Sequence, residues 1–108
     1  MKLLTNALRR SLPPLGAGDV LGDDAIARVK LFTPDSSWTW YASEFDGADT
    51  FFGLVDGIML EYGYFSLAEL TSIRGPLGLP IERDRFFTPA PLKELYEKHL
   101  TRRGGVPF

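Results

Sequence analysis

No cysteine occurs among the 108 residues of the chain. That absence excludes a disulfide framework, a thiolate zinc site and a cysteine nucleophile. It fits a reducing compartment, so a cytoplasmic location is expected. Histidine is almost as scarce: His99 stands alone, and one imidazole makes a poor metal site, so neither a metal nor a cofactor is expected. Long apolar runs are missing as well. Arg9 and Arg10 interrupt the N-terminal segment before it reaches signal-peptide length, and no later stretch approaches a membrane span, so neither export nor insertion is expected. Positive charge is absent from the middle of the chain, with no Lys or Arg between Lys30 and Arg74.

What is present is enough apolar surface to offset chain entropy, with 44% hydrophobic and 13% aromatic residues. The length is that of one ordinary domain, so a single domain over residues 1–108 is expected. Thr5 or Asn6 caps a short helix that Pro13 and Pro14 must stop, because proline lacks a donor and clashes with the preceding turn. Residues 16–24 are rich in Gly and Asp without a period, and read as a flexible loop.

From there strand and turn signals alternate. Residues 27–33 alternate as a strand, and Pro34, Asp35, Ser36 and Ser37 supply a turn. Residues 38–45 form a second strand, with Trp38, Trp40 and Ala42 on one face and Thr39, Tyr41, Ser43 and Phe45 on the other. Turns at 46–49 and 56–57 separate strands over 50–55 and 61–65, and the spacing predicts an antiparallel meander of about four strands. Ser66 and Glu69 match a capping box that opens a helix with Leu67, Leu70 and Ile73 as its apolar stripe. Gly75 and Pro76 end it. A Gly/Pro-rich loop follows, then a short edge strand within 81–87. A C-terminal helix opens at Thr88 and Pro89, turns Leu92, Leu95, Tyr96 and His99 inward, and stops at Gly104 and Gly105. The fold class is α+β.

Five strings together look familiar: VKLFTPD (29–35), WTWYA (38–42), FFGLV (51–55), GYFS (63–66) and RGPLGLPIERD (74–84). They resemble a domain-of-unknown-function family of small bacterial, plasmid and phage proteins. Members are often encoded on mobile elements near antirestriction or plasmid-maintenance genes. The likeness runs over almost the whole chain, departing at Gly16, Ala17 and Gly18, where the family has a more polar and aromatic stretch. It implies a mobile-element setting and assigns no residue a role.

The net charge of −2 hides a division: the basic-free middle carries seven carboxylates, Asp35, Glu44, Asp46, Asp49, Asp56, Glu61 and Glu69, and the flanks together carry +5. Two explanations compete. The acids are turn formers on the solvated side of a half-buried sheet, or Glu44, Asp46, Asp49 and Asp56 form an acidic face for a partner with a basic surface. In the mobile-element setting that partner would be a host defence nuclease, antagonised in anti-CRISPR or antirestriction fashion by a surface that imitates nucleic acid. Arg74, Glu82, Arg83, Asp84 and Arg85 flank the Gly/Pro-rich loop, as an ion-pair brace or as a second candidate interaction surface.

The expectation is therefore a non-catalytic protein-interaction module with no recognisable catalytic motif. One alternative is a single-stranded nucleic-acid binder that stacks bases on Trp38, Trp40, Tyr41, Phe51 and Phe52, aided by Arg9, Arg10, Arg102 and Arg103. Phosphate repulsion by the acidic middle disfavours it. Another is a carboxylate-dependent hydrolase, which requires a polar pocket holding an acid of raised pKa. A homodimer arises if an apolar sheet face is left uncovered.

Overall fold

The computed structural model describes residues 2–104. The fold is mixed α+β. A five-stranded antiparallel sheet is built from β2 (Val29–Phe32), β3 (Thr39–Phe45), β4 (Thr50–Asp56), β5 (Leu60–Ser66) and β6 (Glu82–Arg83). Its spatial order is β5-β4-β3-β2-β6, so the four expected meander strands are neighbours in sequence order and the edge strand adds beside β2. A separate two-stranded sheet pairs β1 (Ile26–Ala27) with β7 (Ala90–Pro91). The helices are α1 (Asn6–Ser11), α2 (Leu67–Ser72) and α3 (Leu92–Arg102). None is long and apolar enough to cross a membrane.

Local chemistry sets the short helices. Thr5 Oγ1 accepts the Leu8 amide at 3.2 Å to open α1, and the chain turns extended at Leu12, ahead of Pro13 and Pro14. Ser66 Oγ accepts the Glu69 amide at 3.2 Å, the expected cap of α2. A second amide of that first turn, Ala68 N, is taken by Asp49 Oδ1 at 2.8 Å, so the other cap acceptor comes from the β3–β4 turn.

The start of the C-terminal helix differs from expectation. Residues before Leu92 are held extended by pairing of Ala90 and Pro91 with Ala27 and Ile26, and Leu92 N donates to Ala25 O at 2.9 Å. The same pairing shortens the expected first strand, whose leading residues leave the main sheet for the small one. Gly104, at φ +83, follows the helix in the left-handed region that glycine adopts without steric cost, whereas Gly105 lies outside the described residues.

Both faces of the main sheet are covered. Leu3, Leu4, Leu8 and Leu12 from the N-terminal segment, with Leu67 and Leu70 of α2, pack on Val29, Leu31, Trp40, Ala42, Phe45 and Phe51. On the opposite face Leu92 and Leu95 of α3, with Ala25 and Ala27, pack on Tyr41 and Leu54. The central strand is consequently buried from Trp40 through Phe45, unlike the half-solvated sheet considered from sequence.

One irregularity changes which residues share a face. Ala42 pairs with Gly53 but Glu44 pairs with Phe52, so Ser43 is an inserted residue, a β-bulge. Phe45 therefore joins the Trp40 side, its ring 4.6 Å from that of Phe51, and leaves the face it would share with Tyr41 in uninterrupted alternation.

Candidate interaction site

The bulge also aims Glu44 at the α3 side of the sheet. Its side chain is 4% exposed, with Oε1 accepting the Gly16 amide and Oε2 the Gly18 amide, each at 2.8 Å. Residues 16–24 are thus tied to the central strand by a carboxylate that was expected on an open face. Between this loop and the sheet lies a cleft of about 300 Å³. Phe52, Tyr62, Ala25 and Leu92 form its apolar walls, Glu44 contributes a carboxylate, and Asp19 and Asp23 stand at the rim; no lining residue is basic.

Val20 and Leu21, between the two rim aspartates, are exposed. The Tyr62 ring stacks on Tyr96 at 5.4 Å, and its phenol is pushed up to about 12 by burial and by the negative charge of Asp23. Asp19 and Asp23 went unnoticed as site residues because a Gly/Asp-rich segment reads as a linker. The available signal was the apolar pair Val20 and Leu21 inside it.

The remaining acids of the candidate face have intramolecular partners. Asp46 Oδ1 accepts the amides of Ala48, Asp49 and Thr50 at 2.8, 2.8 and 3.0 Å, a turn whose donors hold its carboxyl below the ordinary range. Asp49 accepts the Ser66 hydroxyl at 2.6 Å as well as the Ala68 amide. Asp56 is engaged by His99 and Arg103. The structure thus disperses Glu44, Asp46, Asp49 and Asp56 over a loop anchor, a turn, a helix cap and an ion-pair network.

That network is the most connected polar feature of the described chain. Asp56 Oδ2 lies 2.6 Å from His99 Nδ1, and Tyr41 Oη lies 2.7 Å from His99 Nε2. A carboxylate only accepts, so Nδ1 carries the ring proton, and Nε2 accepts from the Tyr41 hydroxyl. Arg103 donates through Nε to Asp56 Oδ1 at 2.7 Å and through Nη2 to the same oxygen. Burial lowers the His99 pKa despite the nearby carboxylate, so the ring is held neutral. Burial alone would raise Asp56, but hydrogen bonds from His99 and Arg103 outweigh it and the net shift is downward.

A polar cleft of about 470 Å³ is lined by His99 itself, with Ser37, Thr39, Asp56, Arg102 and Arg103. Tyr41, only 2% exposed, is absent from that lining. The chain of bonds joins the central strand to α3. Its acid is shifted down rather than up, the opposite of what a general acid requires.

Of the second candidate cluster, Glu82, Arg83, Asp84 and Arg85 line one cleft of about 350 Å³ with Lys30, Phe32 and Phe86, and Arg74 lies apart from it. Arg74 Nη1 donates to the carbonyls of Thr71 and Ile73 at the C-terminal end of α2. Glu82 and Arg83 form β6 against Phe32 and Leu31, and Arg83 donates to Lys2 O. Asp84 is 3.7 Å from Lys30 Nζ and accepts the Phe86 amide, while Arg85 is exposed. The Gly/Pro-rich loop is braced by a carboxylate instead of these arginines: Asp35 Oδ2 accepts the amides of Leu77 and Leu79 at 2.8 and 3.3 Å.

Of the five aromatics considered for base stacking, Trp38 and Phe52 are half-buried. Trp40, Tyr41 and Phe51 are buried in the two cores. Of the basic flanks, Arg9 donates to Gly47 O at 3.0 Å and lies over the Phe45 ring, and Arg103 is held by Asp56. Among the described residues, no group of three or more His, Asp and Glu is placed to hold a metal ion.

Neither a curated protein nor a solved structure matches the chain. Over residues 3–106 the sequence matches the family described as "Protein of unknown function (DUF2958)", and the chain belongs to that family.

Proposed function

We propose that the chain is a non-catalytic protein-interaction module that receives a cationic side chain of a basic partner in the cleft above Glu44. The observation that carries this is the lining: apolar walls of Phe52, Tyr62 and Leu92, carboxylates at Glu44, Asp19 and Asp23, and no basic residue. The aliphatic stem of a lysine or arginine suits the walls, and its charged head suits the acids. A volume of about 300 Å³ is at the small end for ligand pockets, which fits one side chain better than a cofactor.

The acids left for a partner are those of the loop. Asp19 and Asp23 are exposed, whereas Asp46, Asp49 and Asp56 are engaged in holding the fold. Reversing their charge would therefore disturb structure and binding together. In the mobile-element setting that the sequence motifs resemble, the basic partner is a host defence nuclease, met through this cleft in its nucleic-acid-binding region.

Fluorescence anisotropy with labelled Arg-rich, Lys-rich and Glu-rich peptides of equal length tests the cleft. Cationic peptides should bind with a salt-sensitive affinity that Asp19→Asn with Asp23→Asn weakens about tenfold, while the acidic peptide does not bind. Binding untouched by the double substitution would sink the proposal. The nuclease version adds that the chain slows DNA cleavage by a restriction or CRISPR nuclease, and that the double variant does so less.

A further inference from the structure

We propose that β5 is a self-pairing edge through which two copies of this chain join their main sheets. β5 runs for seven residues, Leu60–Ser66, and pairs on one side only, with β4. The opposite border of the sheet is the two-residue β6. A long edge with open backbone donors and acceptors is a template for another strand unless lysine, proline or a bulge guards it. β5 has no such guard: its pairing with β4 is unbroken over all seven positions, and its only charged residue is Glu61.

The side chains along this edge point to a second copy as the occupant. In an antiparallel pairing centred on Gly63, Tyr62 falls opposite Tyr64 of the second copy, and the reverse, giving two cross-strand aromatic pairs on the α3 side. Tyr64 is 69% exposed in the single chain. Gly63 meets Gly63 at the centre, where no side chain obstructs approach. Glu61 falls opposite Phe65 and away from its own copy, so like charges are not opposed.

The same register explains the most exposed apolar residues nearby. Ile58 and Met59, at the tip of the β4–β5 hairpin, are 86% and 65% exposed. In that pairing the tip lies beside the β5–α2 junction of the second copy, where Leu67 and Ala68 open the helix. The hairpin tip thus gains an apolar neighbour from the other chain. A seven-residue edge is roughly 24 Å long, a small interface, so the association is reversible and concentration-dependent. It makes no use of the cleft acids, and Tyr62 is the residue common to the cleft wall and this edge.

Sedimentation velocity of the full chain over low to high micromolar loading tests this, beside Tyr64→Lys and, at the exposed tip, Met59→Lys. The wild type should move from monomer to dimer as concentration rises. Each lysine should weaken association at least about tenfold with an unchanged circular dichroism spectrum. Deuterium uptake over residues 60–66 should slow with rising concentration in the wild type alone. A wild type that stays monomeric, or a dimer that survives both lysines, overturns the proposal.

Discussion

The Tyr41 hydroxyl and the His99 imidazole meet at 2.7 Å across 58 positions of sequence, joining the central strand to the C-terminal helix. Both side chains are almost fully buried. Tyr41→Phe keeps the ring packing and removes the shorter of two contacts to Nε2, leaving it Arg102 Nη1 at 3.4 Å. Urea unfolding should show a loss of about 1–3 kcal/mol. Peptide binding at the Glu44 cleft should be retained, because Tyr41 does not line it.

The same histidine makes stability sensitive to acid. Burial lowers its pKa below the ordinary 6.5, so the unfolded chain takes up the proton first as pH falls. The stabilisation is fully present above about pH 6.5 and is lost as pH drops through the depressed folded value. Asp56, lowered from 3.8, adds a further loss at still lower pH. Thermal melts from neutral pH to about pH 5 should show a falling melting temperature in the wild type and a flatter profile in His99→Gln. Equal slopes would remove His99 as the cause.

Two glycines face each other across β4 and β5 with opposite tolerance. A Cβ at Gly53 would lie 1.7 Å from the Tyr41 carbonyl oxygen, a backbone atom that cannot step aside, whereas at Gly63 it would meet nothing within 4 Å. Gly53→Ala should cost about 3 kcal/mol or more, and Gly63→Ala less than about 1 kcal/mol, in denaturant titrations of the monomer.

Asp35 holds the Gly/Pro-rich loop at a cost. Its Oδ2 accepts two loop amides, while Oδ1 is buried without a hydrogen bond and a Cβ at Gly75 would sit 1.6 Å from it. Asp35→Ala should speed amide exchange at Leu77 and Leu79 and lower stability by about 0.5–1.5 kcal/mol. Asp35→Asn, which retains one acceptor, should show the smaller loss. An unchanged exchange rate at Leu77 in Asp35→Ala would show that the loop holds itself.

What could be read from the chain was local. The Thr5 and Ser66 caps, the turn acid Asp46 and the alternation along β2 depend on residues within a few positions, and each appears as expected. The β1–β7 pairing, the bulge at Ser43 and the Asp49 contribution to the α2 cap depend on residues far away in sequence. No short window contains them. The candidate acids fared accordingly: their residue types and positions were plain, but their partners were not.

Nor does the lone histidine in the sequence disclose that Tyr41 and Asp56 converge on it, with Arg103 on Asp56. The sequence by itself determined a cysteine-free α+β chain with a meander and two later helices, because hydrophobic period, caps and turn residues act over a few positions. Only the tertiary structure decided that Glu44 turns inward to anchor the loop, that three other acids hold a turn, a cap and a helix, and that Asp19 and Asp23 rim an apolar cleft. Those outcomes hinge on one inserted residue in the central strand and on layers that cover both faces of the sheet. Charge along a sequence is a sum, whereas charge presented to a partner is what remains after the fold has paired its own.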